Sequence, residues 1–151
     1  EFLINAYKFD EVDNGRLLAI DIRKALQGFQ LEKLKNYFNT LFKSIPYELW
    51  HKENEHFYHA IIHLTFRLVG LYVESKVQTS DGRLDALVKT DEFIYCFEFK
   101  LDESAEMALQ QIKDKGYLTP YLHEGKRCFA IGVNFSKKDK KVEAILWEEV
   151  Q

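Results

Sequence analysis

The segment from Phe93 to Leu101 constrains the fold more than any other part of this chain. Phe93, Tyr95, Phe97, Phe99 and Leu101 fall on alternate positions, and Ile94 and Cys96 fill the first gaps between them. A period of two in so apolar a run predicts a β-strand buried on both faces. The second face then changes character, because Glu98 and Lys100 follow Cys96 on the same side. Side chains two apart on a strand point the same way, roughly 6–7 Å from one another. A carboxylate and an ammonium therefore stand together where the strand leaves the core. Burying such charges alone is costly, so partner groups, water or a metal must meet them.

The flanking sequence supplies neighbours for this strand. Residues 71–78 read as a strand leading into the turn signal Ser80-Asp81-Gly82. Residues 84–89 read as the next strand, joined to 93–101 through Thr90-Asp91-Glu92 as a hairpin. Ahead of these, residues 30–45 place Leu31, Leu34, Tyr37, Phe38, Leu41, Phe42 and Ile45 on one helical stripe, with Lys33, Lys35, Asn36 and Lys43 outside it and Pro46 stopping it. A second helix is expected over 53–69, with Phe57, Ala60, Ile61, Leu64 and Leu68 inward and Gly70 closing it. Residues 10–15 read as turn and 17–29 as a loose helical pattern. After the third strand, Ser104 can cap a helix reaching about residue 118, with Ala105, Ala108, Leu109 and Ile112 inward and Glu103 and Glu106 near its positive end. Strands at 127–135 and 142–149 enclose the polar turn 137–141. The order is ααβββαββ, an α/β arrangement with a central mixed β-sheet flanked by α-helices. A helix between the third and fourth strands implies a crossover, right-handed if the two are parallel.

Length allows one domain, and a composition 46% hydrophobic and 15% aromatic with two prolines suits a packed globule. The net charge of −3 excludes a generally basic nucleic-acid binder, so any such role needs a local basic patch. Cys96 and Cys128 lie in apolar strand-like runs and read as reduced core thiols of a cytoplasmic protein. No apolar stretch approaches the ~20 residues needed to span a bilayer, so no membrane partner is expected. The chain opens on Glu1 rather than Met, which leads us to expect a piece of a longer protein with residues 1–29 as its lead-in.

Asp85 begins the strand before the hairpin, and a short turn brings it opposite, or nearly opposite, Glu98. Two carboxylates so placed repel unless a proton or cation lies between them. Hard oxygen ligands with open coordination positions suit Mg²⁺ or Mn²⁺, which keep several waters and bind phosphates. Lys100 could then orient or help deprotonate a water, or neutralise phosphate charge. The plainer alternative is an ion pair of Lys100 with Glu98 or Asp102 at a strand end.

The ordered series Gly82-Arg83-Leu84-Asp85, Phe97-Glu98-Phe99-Lys100-Leu101-Asp102, Ser104-Ala105-Glu106, Ala108-Leu109, Gln111-Ile112-Lys113 and Gly116-Tyr117 resembles the PD-(D/E)XK nuclease superfamily. Its bacterial branch whose nuclease-like domain follows an AAA-ATPase-like domain is the nearest likeness. The resemblance extends to Glu55-His56-Phe57-Tyr58-His59 and to Ile131-Gly132-Val133-Asn134-Phe135-Ser136, and covers roughly residues 31–148. It implies a restriction-endonuclease-like core, a nuclease-like domain over 30–151, and a Mg²⁺- or Mn²⁺-dependent nuclease that hydrolyses nucleic-acid, and by preference DNA, phosphodiester bonds. It further implies that Asp85, Glu98, Glu55 and the Phe99 backbone carbonyl hold the metal. Lys100 takes the catalytic lysine role, and Gln111 points back toward the metal from the helix after the third strand. The partners implied are nucleic acid and an N-terminal ATPase-like domain of the same chain. The alternative is a non-catalytic module that binds nucleic acid or protein and regulates that upstream domain.

Other features weigh less. Glu53 competes with Glu55, and Glu74 on the first strand could reach the site but reads as a solvated residue. His59 and His63 lie four apart on a helix, but Ala60 follows His59, so the zinc-protease pattern is absent. Lys137, Lys138, Lys140 and Lys141 read as a solvated hairpin tip or, joined by Arg67, Arg83, Lys113 and Lys115, as phosphate contacts. The aromatic stripe at 30–45 could serve a partner, a second copy included, as well as the core.

Overall fold

In the computed structural model, which describes residues 9–45, 55–69, 71–75, 78–79, 82–83 and 85–151, the alternating segment is the middle strand of the main sheet. Among the described residues three helices come first, α1 (Phe9–Gln27), α2 (Leu31–Lys43) and α3 (Glu55–Leu68). They are followed by β1 (Tyr72–Ser75), β2 (Gln78–Thr79), β3 (Gly82–Arg83), β4 (Ala86–Lys89) and β5 (Phe93–Leu101). Helix α4 (Ala105–Lys115), a 3₁₀ helix (Thr119–Glu124), β6 (Arg127–Ser136) and β7 (Lys141–Val150) complete the order. Five strands form one sheet in the order β1-β4-β5-β6-β7, and β2 and β3 form a separate two-stranded ribbon. Only β5 and β6 run parallel, joined through α4, and the other neighbours are antiparallel, so the sheet is mixed as expected.

The two faces of β5 sort the helices. Phe93, Tyr95, Phe97 and Phe99 join Phe129, Ile131, Val133 and Phe135 of β6 in the larger core, under Ile22 and Leu26 of α1, Leu34, Phe38 and Phe42 of α2, and Ile62 and Phe66 of α3. Each fully buried phenylalanine contributes about 1.5–3 kcal/mol of transfer free energy. Ring contacts run through this layer, Phe38 to Phe66 at 5.8 Å and Phe66 to Phe97 at 5.1 Å between centroids. Buried Tyr95 donates its hydroxyl to the Leu26 carbonyl at 2.5 Å, so its one polar atom is satisfied. The opposite face, Leu87, Ile94, Cys96, Cys128 and Ala130, is covered by Ile112 of α4 with Tyr117 and Leu118. Both cysteines are buried free thiols.

Several expectations change in detail. Residues 10–15, read as turn, lie within α1, where an internal Gly15 costs only ~1 kcal/mol. The strand expected over 71–78 ends at Ser75, with Gln78 pairing Arg83 in the separate ribbon. On α3 the inward residues are Ile62, Thr65 and Phe66, with Val69 buried just past its end, while Leu64 is 55% exposed and Ala60 is exposed. This helix is apolar on more than one side, and the sheet takes the side that carries Phe66. The side chains of the expected inward Phe57 and Leu68, and the stops at Pro46 and Gly70, lie outside the described residues. The α2 stripe is as expected, with Leu31, Leu34, Phe38 and Phe42 buried. Between α1 and α2, Phe29 adopts φ 53°, an unfavourable conformation for a bulky residue. Its ring packs on Phe129 at 4.3 Å and Trp147 at 4.9 Å, which offsets that cost.

Candidate active site at the end of the central hairpin

The β4–β5 hairpin turns on Thr90, whose Oγ1 accepts the Phe93 N–H at 2.9 Å while its own N–H donates to the Phe93 carbonyl at 2.9 Å. This closure fixes the register, with Ala86 opposite Phe97 and Lys89 opposite Ile94. Continued by one residue, it sets Asp85 opposite Glu98. The Asp85 carboxylate is tied across the hairpin, accepting the Phe99 N–H through Oδ2 at 2.9 Å. Glu98 is only 5% exposed and occupies the face of Cys96. Burial pushes the Cys96 thiol well above its ordinary value, and the negative charges of Glu98 and Asp85 push it further in the same direction. One buried atom thus feels both carboxylates.

Helix α4 supplies the third side. Ser104 caps it as expected, accepting the Met107 N–H at 3.1 Å, and left-handed Gly116 (φ 59°) ends it three residues before the expected limit. Ala105, Ala108 and Ile112 face the sheet. Beneath them lies Gly132, opposite Glu98 in the parallel ladder. A Cβ on Gly132 would fall 2.3 Å from the Ala105 carbonyl oxygen and 2.7 Å from the Leu109 nitrogen. The helix backbone thus rests directly on the strand beside Glu98. That close seat lets half-buried Gln111 donate from Nε2 to Glu98 Oε2 at 3.0 Å. Gly132 has no reactive group, so sequence reasoning gave it no role in the site. Its only signal there was a lone glycine inside an otherwise apolar strand pattern.

Asp85, Glu98, Phe99 and Gln111 are therefore brought together. Lys100 is partly exposed on the Glu98 face and forms no ion pair among the described residues. The plainer expectation, an ion pair with Glu98 or Asp102, is corrected: Glu98 engages Gln111, and Asp102 accepts the Lys137 N–H at 2.9 Å. Glu55 is the first residue of α3, and its side chain, like all of Glu53, lies outside the described residues. Glu74 pairs with Leu87 and so shares the Glu98 face, but its carboxylate accepts the Tyr72 hydroxyl. Lys113 is committed to Glu148 at 3.0 Å. Among the described residues no group of three or more His, Cys, Asp or Glu side chains could hold a metal. The donors that geometry does assemble are two carboxylates and a backbone. A strand residue directs its N–H and C=O toward the same neighbour, so the Phe99 carbonyl lies on the Asp85 edge of β5.

The PD-(D/E)XK nuclease superfamily model matches residues 53–145, a span that includes all of α3 and reaches into β7. A curated relative, the "Uncharacterized protein in vnfD 5'region" of Azotobacter chroococcum mcd 1, is 36% identical over a 124-residue alignment that covers 78% of this chain and 24% of that protein. The chain therefore spans about a quarter of that relative's length. No solved structure gives a significant match. The family match takes in α3, the hairpin that carries Asp85 and Glu98, the helix that carries Gln111, and most of the sheet, and on it the chain belongs to the PD-(D/E)XK nuclease superfamily.

Proposed function

We propose that this domain is a Mg²⁺- or Mn²⁺-dependent nuclease that hydrolyses DNA phosphodiester bonds. One observation carries the reading: Asp85 and Glu98 stand opposite each other at the end of the β4–β5 hairpin, oriented by the Phe99 N–H and the Gln111 amide respectively. The donor set fits the ion. Hard carboxylate and carbonyl oxygens in small number suit a cation that keeps part of its water shell. Asp85, Glu98 and the Phe99 carbonyl would hold it, with Glu55 as a further ligand. When bound, such an ion neutralises phosphate charge and activates water.

The chain's own residues do the rest. The Phe99 N–H and the Gln111 amide orient the two carboxylates, so little reorganisation is needed when substrate arrives. The Lys100 ammonium, two residues beyond Glu98 on the same face, donates to a phosphate oxygen and stabilises the charge that develops there. In the longer protein we place this domain after an ATPase-like domain, in the cytoplasm. A cleavage assay on single-stranded, double-stranded and branched DNA with Mg²⁺ or Mn²⁺ tests the reading. Cutting should stop with chelator and in Asp85→Ala and Lys100→Ala, with both variants still folded. Cutting that survives either variant refutes the assignment. A folded protein that neither cuts nor binds metal would favour a non-catalytic binding module.

A further inference from the structure

The hairpin between β6 and β7 was open to two readings in the sequence, and the structure adds where its lysines stand. Residues 137–143 carry Lys137, Lys138, Lys140 and Lys141 against Asp139 and Glu143, in a chain whose net charge is −3. Lys137, Lys138 and Lys141 are exposed and form no ion pair among the described residues. Glu143 is drawn aside, held by the Asn134 amide at 3.0 Å where the β6–β7 register shifts.

The tip is fixed to the candidate site. Asp102, two residues beyond Lys100, takes a left-handed conformation (φ 59°), donates its N–H to the Phe135 carbonyl at 2.8 Å and accepts the Lys137 N–H through Oδ1 at 2.9 Å. These two bonds close the end of β5 onto the base of the hairpin. The Asp139 N–H donates to Ser136 Oγ at 3.1 Å and folds the tip on itself. Lys141 pairs with Ser136, and alternation along β6 sets Ser136 on the face of Gly132 and Asn134. Lys141 therefore leaves the sheet on the Glu98 and Lys100 face. It is two strands from β5, roughly 10 Å away at the usual strand spacing. Duplex DNA carries a charge about every 1.7 Å of its axis, so a duplex at the site presents several phosphates within that span.

We infer that the β6–β7 hairpin is a grip for the phosphate backbone of duplex DNA, with Lys137, Lys138 and Lys141 holding phosphates beside the one at Lys100. This inference rests on the nuclease reading and adds how substrate is held. The grip is sequence-independent, since lysines on phosphates carry no base readout.

The test is binding of a labelled DNA duplex to the 151-residue chain across a KCl series without divalent metal, followed by fluorescence anisotropy. Lys137→Glu/Lys138→Glu/Lys141→Glu is compared with Lys24→Glu/Lys33→Glu/Lys43→Glu, the same charge change on the α1 and α2 face, with melting curves confirming that both fold. Each lost phosphate contact lowers the slope of log K against log salt by about 1. The hairpin variant should lose about 2–3 from that slope, and the helix variant should lose little. Equal effects of the two variants, or none, would overturn the inference. So would the absence of duplex binding by the unaltered chain. The nuclease reading is judged separately, by metal-dependent cleavage and its loss in Lys100→Ala.

Discussion

Replacing Gly132 with alanine should disturb the candidate site without touching any group that does chemistry. The added Cβ would lie 2.3 Å from the Ala105 carbonyl oxygen and 2.7 Å from the Leu109 nitrogen, against an ordinary contact of at least 3.4 Å. Both atoms are helix backbone, so no side-chain rotation relieves the clash. Strand β6 cannot retreat, because β5 and β7 pair with it on either side and Phe129, Ile131 and Val133 pack beneath it. Helix α4 must lift by about 1 Å, a displacement that interiors resist at a cost of about 1–3 kcal/mol. For a chain of this size that is a fall in Tm of roughly 2–12 °C. The same lift stretches the Gln111–Glu98 hydrogen bond from 3.0 Å to about 4 Å, beyond hydrogen-bonding range. Misplacement of this size can cost about 100-fold in catalysis. Calorimetry gives the Tm, and NMR of the Gln111 side-chain amide reports the bond. Ile112→Ala, a cavity on the same helix, is the control: it should lower Tm yet leave the Gln111 resonance in place. A Gly132→Ala protein with unchanged Tm and an unshifted Gln111 amide would refute the argument.

Further expectations concern the helices, the sheet edge and the thiols. Leu64→Ala should change stability by less than about 0.5 kcal/mol, whereas Ile62→Ala should cost about 2–5 kcal/mol; chemical denaturation of the pair reports which side of α3 is inward. Asn39 donates to the Val142 carbonyl at 3.1 Å and accepts the Val142 N–H at 2.8 Å, clamping α2 to β7. Asn39→Ala should cost about 1–3 kcal/mol by denaturant titration, and a loss within error would show the clamp to be dispensable. Burial and two neighbouring carboxylates raise the Cys96 thiol above its ordinary 9.0, so the native state keeps a proton that the unfolded chain gives up. The resulting stability is full below about pH 9 and is lost as pH rises toward the native value. Tm should therefore fall on the alkaline side, less steeply in Cys96→Ala, and an identical slope in the two proteins would contradict the assignment.

What the sequence conveyed well was whatever local chemistry decides. The alternation of Phe93–Leu101, the Thr90-Asp91-Glu92 turn, the Ser104 cap and the single-sided stripe of α2 each dictate one local outcome, and each appears as expected. The Asp85–Glu98 juxtaposition was legible for the same reason, since a short turn leaves few registers. Gln111 was legible from the family resemblance. What depended on distant packing was less accessible. Helix α3 offers apolar residues on several sides, and only the fit of Phe66 against Phe38 and Phe97 selects among them. The role of Gly132 exists only because another element lies on it. The commitment of Asp102 to Lys137, which removes the expected ion pair with Lys100, arises from a hairpin 35 residues away.

The central claim is that Asp85 and Glu98 together hold a divalent cation, and Mn²⁺ titration followed by electron paramagnetic resonance tests it most directly. The unaltered chain should take up Mn²⁺ at one specific site, Asp85→Asn and Glu98→Gln should each lose it, and Lys100→Ala should retain it. Uptake that persists undiminished in both carboxylate variants would contradict the account.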